Sequence, residues 1–166
     1  MDTKTVQNLK QFALPENAFN TFADTVYRLA FVRTKSKADS DDILQDVFLR
    51  YLKVWQKMQS EEHVKATLLR ITVNCTNSLK SSAWHKKTVP LDETMADSQQ
   101  EPTLSDTLQQ VLKLPLKYRT AIHLHYYCGY SVEEIAKISK TNPSTIKTHL
   151  SRGRAILKKT IKADDL

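Results

Sequence analysis

Along most of the chain apolar residues recur every three or four positions and nowhere alternate with polar ones, a periodicity that predicts helices and gives no strand. Phe19, Phe22, Val26, Leu29 and Ala30 mark one amphipathic helix, and Ile43, Leu44, Val47, Tyr51, Val54 and Trp55 mark a second. A third runs over 64–84, with Leu68, Leu69, Ile71, Thr72, Cys75 and Leu79 on its apolar side. Three helices of this length can close a small bundle. The periodicity then stops in a polar stretch bracketed by Pro90 and Pro102 and resumes toward the C-terminus. The pattern predicts an all-α protein of two small helical domains, 13–87 and 107–163, joined by a flexible linker over 88–106.

Helix ends in the second domain are written in capping chemistry. Ser131 and Glu134 have the spacing of a capping box, which predicts a helix over 131–138 with Ile135, Ala136 and Ile138 inward. Asn142 supplies another N-cap with Pro143 at the first helical position, where its missing N–H costs nothing. Two capped helices across a short turn predict a helix-turn-helix. In the second of them Ile146, Leu150, Gly153 and Leu157 share one face, while Lys147, Thr148, Ser151, Arg152, Arg154 and Lys158 lie opposite. Such a basic and hydroxyl-rich face can enter a major groove. Gly153 is out of place mid-helix, where Gly costs about 1 kcal/mol relative to Ala, and close helix packing would account for it.

Charge sharpens the division. The chain of 166 residues carries a formal net charge of +7, yet residues 88–112 hold five acids and no Lys or Arg, so two basic domains flank an acidic joint. A basic balance favours a polyanionic partner. With only 2 Gly, phosphate loops, dinucleotide fingerprints and nucleophile elbows are excluded. Cys75 and Cys128 match no paired metal or redox spacing and read as reduced core residues. His123, His125 and Cys128 could hold a metal only if helical neighbours faced one way, so the sequence predicts no enzyme, no catalytic residues, no metal, no cofactor and no small-molecule substrate. No apolar run is long enough to span a membrane, and the polar start lacks a signal sequence, which predicts a soluble cytoplasmic protein.

Three stretches carry a family resemblance. Leu114-Pro-Leu-Lys-Tyr-Arg119, continuing through His125-Tyr-Tyr-Cys-Gly-Tyr-Ser-Val-Glu-Glu-Ile-Ala136 to Thr145-Ile-Lys-Thr-His-Leu-Ser-Arg-Gly-Arg-Ala-Ile-Leu157, resembles region 4 of extracytoplasmic-function sigma factors of bacterial RNA polymerase. Ala38-Asp-Ser-Asp-Asp-Ile-Leu-Gln-Asp-Val-Phe-Leu-Arg50 is similar to their region 2.2, and Leu69-Arg-Ile-Thr-Val-Asn74 to the segment leading into region 2.4. The motifs stand in the family's order and span nearly the whole chain, leaving out only the first dozen residues.

The resemblance implies a subunit that binds core RNA polymerase and directs promoter-specific initiation. Asp42, Gln45, Asp46 and Leu49 share a helix face whose acids suit a protein rather than DNA, and the resemblance assigns core binding to Asp42, Gln45, Asp46, Phe48 and Leu52. It assigns the minus-ten element to Asn74, Asn77, Lys80, Trp84, Lys86 and Lys87, where amides can read extruded bases, lysines track phosphates and an aromatic ring stacks. The minus-thirty-five duplex falls to Ser144, Thr145, Lys147, Thr148, His149, Ser151, Arg152, Arg154 and Lys158. Thr67, His149 and Ser151 depart from residues common in the family, which leaves the promoter sequence undetermined. The resemblance also implies an inhibitory anti-sigma factor, usually membrane-anchored, and a role in stress-responsive transcription. The competing reading is a stand-alone helix-turn-helix regulator that binds a palindrome without polymerase.

Overall fold

A computed structural model of the protein describes residues 11–86 and 104–164, with side chains described over 11–79 and 104–161. Among the described residues every regular element is helical. Helix α1, Pro15–Thr34, starts with proline in its first turn and ends at Lys35, which turns left-handed at φ 57°. Ser36 caps α2, Lys37–Tyr51, by accepting from the Asp39 amide. A single 3₁₀ turn, Trp55–Lys57, leads to α3, Glu61–Lys86. Val54 and Trp55 therefore lie beyond α2 rather than on its apolar stripe.

Ala18, Phe22, Val26, Ala30, Ile43, Val47, Val64 and Leu68 form the core of this bundle. Tyr51 is fully buried in it and its hydroxyl donates to the Ala13 carbonyl at 2.7 Å, which ties the approach to α1 onto α2. Phe19, which helps mark α1, is 45% exposed. It sits a little off the buried stripe and packs edge-on against Phe48, ring centroids 4.9 Å apart.

The second domain holds α4 (Asp106–Leu112), α5 (Leu116–Ile122), a π-helical segment (His123–Tyr127), α6 (Val132–Ser139) and α7 (Pro143–Asp164). Ser105 caps α4, so the helix begins at the end of the stretch read as linker. Gly129 adopts φ +76°, a conformation that costs other residues energy, and lets the chain leave the π segment for α6. Both halves of the predicted capping box are present, Ser131 Oγ accepting from the Glu134 amide at 3.2 Å and Glu134 accepting from the Ser131 amide at 2.8 Å.

Gly153 has the close neighbours its position suggested. A Cβ there would lie 3.0 Å from Ile122 Cγ1 and 3.4 Å from Tyr118 Cβ, so its absence is what lets α7 approach α5.

Solvent does not separate the two domains. Leu29 of α1 and Leu69 and Val73 of α3 belong to the same buried cluster as Leu114, Ile122, Leu124, Ile135, Ile146 and Leu150. Fully burying a leucine contributes about 1.5–3 kcal/mol, so these residues alone give the seam several kcal/mol. Among the described residues no helix is long and apolar enough to cross a membrane, and no cluster of metal-ligating side chains occurs.

Candidate nucleic-acid and protein interfaces

The turn before α7 is built for a sharp change of direction. Lys140 closes α6 in the left-handed region, Thr141 donates back to the Ala136 carbonyl at 2.9 Å, and Asn142 Oδ1 accepts from the Ser144 amide at 2.9 Å. Ile146, Leu150 and Gly153 then face the core, which rotates Ser144, Lys147, Thr148, Ser151, Arg152, Arg154 and Lys158 into solvent. Thr145 and His149 are half-buried on the flank. Arg154 Nη1 donates to the Tyr126 hydroxyl at 3.1 Å, and Arg152 hydrogen-bonds Tyr118 and lowers its pKa. Partial burial, then Lys117 and Arg152, hold the His149 pKa below its ordinary value, so at neutral pH its ring offers one donor and one acceptor rather than a charge.

On the first domain, Asp42 and Gln45 are exposed, Leu52 is 51% exposed and Phe48 is half-buried. Leu49 is the most exposed large apolar residue of this face, at 62%. Gln45, Leu49 and Leu52, with Pro15, Phe19, Leu44 and Phe48, line an open groove of about 480 Å³ along α1 and α2. Asp46 is engaged within the chain, receiving Arg50 at 3.1 Å and the Cys75 thiol at 3.3 Å. Burial, then the Asp46 carboxylate, push that thiol up to about 12, so Cys75 stays protonated and unreactive.

Of the residues assigned to the minus-ten element, Asn74 is half-buried on α3 and Asn77 is exposed. Asn77 Oδ1 accepts from Arg33 Nη2 at 2.6 Å, so its amide is already bonded within the chain. Lys80, Trp84 and Lys86 lie on the last turns of α3, where only the backbone is described, and Lys87 lies outside the described residues. His123 is buried with its ring stacked on Tyr127, 5.3 Å between centroids, while His125 Nδ1 meets the Tyr130 carbonyl at 2.7 Å.

Two arginines that the sequence did not single out hold the seam. Arg33, 6% exposed, donates from Nε to Thr76 Oγ1 at 2.6 Å, from Nη1 to Thr120 Oγ1 at 2.8 Å and from Nη2 to Asn77. Arg119, 8% exposed, reaches across from α5 and donates to the carbonyls of Val32 at 2.5 Å and Arg33 at 3.0 Å, and to Leu114 at 2.9 Å. Burial, then the like charge of Arg119, bring Arg33 down to about 10. Lys65 adds a third link, its ammonium 3.0 Å from the Cys128 carbonyl and 5.1 Å above the Tyr130 ring. One signal was available: Arg33 continues the apolar stripe of Val26, Leu29 and Ala30, an unusual register for a charge.

The fold and these faces define a two-domain helical protein with a helix-turn-helix on one domain and an exposed apolar groove on the other. Residues 18–85 match the family Sigma-70 region 2 and residues 105–157 match Sigma-70, region 4. The RNA polymerase sigma factor SigV of Bacillus subtilis is 28% identical over 145 residues, covering 84% of this chain and 86% of that protein. The ECF RNA polymerase sigma factor SigW of the same organism is 29% identical over 161 residues, with 85% of each covered. In structure, the sigma factor RpoE from Bartonella quintana, crystallised with the anti-sigma factor NepR, superposes with a TM-score of 0.74 at 21% identity, over 90% of this chain and 97% of that one. The chain belongs to the sigma-70 family, and within it to the extracytoplasmic-function RNA polymerase sigma factors, which are transcription-initiation factors.

Proposed function

We propose that this sigma factor docks on core RNA polymerase through the α1/α2 groove and its flanking Asp42 and Gln45, reads the minus-thirty-five duplex with the exposed face of α7, and meets the opened minus-ten strand with the last turns of α3. The observation that carries the reading is the solvent face of α7, which gathers cations and hydroxyls while Ile146, Leu150 and Gly153 fix its roll. Arg and Lys on such a face reach guanine edges and phosphates, and Ser and Thr adapt to either. Phe48, Leu49 and Leu52 supply apolar surface for docking, and Asp46 contributes from its bridge to Arg50. The functional units are 13–87 and 107–163, with 88–106 between them. The protein acts without catalysis of its own, in the cytoplasm, where polymerase and promoters are. Its similarity to a sigma factor solved with an anti-sigma factor supports an inhibitory partner of the same kind, membrane-anchored in the usual arrangement of the family.

A consequence follows from the seam. Asn77, for the minus-ten strand, and His149, for the minus-thirty-five duplex, line one cavity between the domains. Two DNA elements cannot be engaged there at once, so promoter binding requires the domains to part. The test is co-elution of the purified chain with bacterial core RNA polymerase, followed by transcription from a promoter library with core alone as control. Co-elution with new start sites is expected; folded protein that neither binds core nor adds start sites would sink the proposal.

A further inference from the structure

The cavity shared by Asn77 and His149 has a volume of about 220 Å³, room for roughly seven waters at about 30 Å³ each. Its wall draws on five helices, Ser139 of α6 among them, and the turn before α7. Arg33 comes from α1, Asn77 from α3, Lys117 and Thr120 from α5, Thr141 from the turn and His149 from α7. Among the described residues no carboxylate lines it. Arg33 spends three of its five N–H groups on two hydroxyls and an amide, all neutral, and among the described residues no acid pairs with it. Arg119, whose acceptors are all backbone carbonyls, adds a second buried positive charge with no counter-charge among the described residues. Burying a charge is costly unless an opposite charge or a full set of hydrogen bonds compensates it.

From this geometry we propose that the inter-domain cavity is a binding site for a small tetrahedral oxyanion, inorganic phosphate being the simplest member of the class. The two remaining N–H groups of Arg33, the Lys117 ammonium and the ring N–H of His149 come from α1, α5 and α7, a three-dimensional set of donors that suits a tetrahedron better than a flat carboxylate. The size excludes a nucleic-acid duplex while the domains are closed, whereas a phosphate with a few waters fits. An anion there would offset the burial and the repulsion from Arg119 that lower the Arg33 pKa. Seated there, the anion ties α1 to α5 and α7 and opposes the opening that promoter binding requires, a consequence that rests on the proposed function, while the binding itself does not.

The experiment is a titration of the full chain, without polymerase, followed by NMR of the Arg33 side-chain Nε–H signal. Sodium phosphate and sodium sulfate are compared with sodium chloride at matched ionic strength. Saturable shifts with phosphate and sulfate, absent with chloride, are expected. Lys117→Ala and His149→Ala, on the rim and not in the core, should weaken phosphate binding three- to ten-fold, and Lys53→Ala, outside the cavity, should not. The proposal is overturned by a response that chloride reproduces, by shifts that never saturate, or by rim variants that bind phosphate like the parent chain.

Discussion

The C-terminus of α1 and the N-terminus of α6 face the same problem, backbone groups that a helix cannot satisfy internally, and solve it in opposite ways. At α6 the partners are Ser131 and Glu134, three residues apart, and the cap forms wherever that segment folds. At α1 the carbonyls of Val32 and Arg33 are met by the guanidinium of Arg119, which arrives from the other domain, and its charge also suits the negative end of the helix dipole. A local cap stabilises one helix. A cap supplied from a distance makes the end of one domain depend on the presence of the other, so the two sites should respond to mutation on different scales.

The largest effect is expected at Arg119. Replacing it with Ala strands buried carbonyls at about 1–3 kcal/mol each and removes charge-assisted hydrogen bonds, for a loss of about 3–5 kcal/mol. Arg119→Lys should recover only part, because an ammonium cannot span three acceptors as a planar fork does. Urea denaturation followed by separate probes in the two domains is the measurement. A single shifted transition or two separated ones both fit a structural seam, whereas a loss below about 1 kcal/mol would show that the seam contributes little.

Next comes a pH dependence at the same seam. His123, 4% exposed, lines a second inter-domain cavity beside Tyr27 and Arg28, and its Nδ1 has no partner among the described residues. Burial, then the charge of Arg28, lower its pKa from 6.5 to about 4. Between those values the unfolded chain binds a proton that the folded chain does not, so stability falls as pH drops from 6.5 toward 4 and is flat in this group above 6.5. The full span is on the order of 3 kcal/mol. Urea midpoints of the parent and His123→Gln should therefore converge as pH falls from 7 to 5; parallel curves would mean that His123 does not titrate as its burial dictates.

Within the second domain the contact of α7 with α5 is close but local to that domain. Gly153→Val places branched carbons where even a Cβ meets Ile122 at 3.0 Å, and overpacking of this kind costs about 1–3 kcal/mol. Because α7 must shift outward, the variant should also weaken binding to minus-thirty-five DNA. Thermal unfolding and DNA titration check the two effects together, and a variant as stable as the parent would remove the packing account of Gly153.

The contrast between near and distant partners also marks what the sequence could reveal. The capping box at Ser131, the Asn142 and Pro143 start of α7, and the cationic face of that helix are encoded within a few residues, so periodicity and spacing sufficed. The pairing of Phe19 with Phe48 was not legible, because a residue at the edge of an apolar stripe can fall on either side and its partner lies on another helix. The roles of Arg33 and Arg119 were hidden for a stronger reason, since the acceptors of Arg33 lie 43, 44 and 87 residues away in sequence and two of those of Arg119 lie 86 and 87 away. Leu49, recognised as part of the α2 face, gained weight only when its exposure was seen. Family resemblance supplied candidate DNA contacts but not the closure that brings Asn77 and His149 to one cavity.

Ser131→Ala should have the smallest effect of the series, and its smallness is the informative part. The hydroxyl meets one amide of the first turn of α6, and losing an N-cap of this type costs about 1 kcal/mol. Glu134 can still accept from the Ser131 backbone amide, since alanine keeps that N–H, so half of the box survives. Hydrogen exchange should quicken at the first amides of α6 and leave those at the end of α1 unchanged, because no bond of this cap crosses the seam. Faster exchange at Val32 to Lys35 in Ser131→Ala would mean that the two helix ends are coupled through α6, and the separation of local from distant caps would then be wrong.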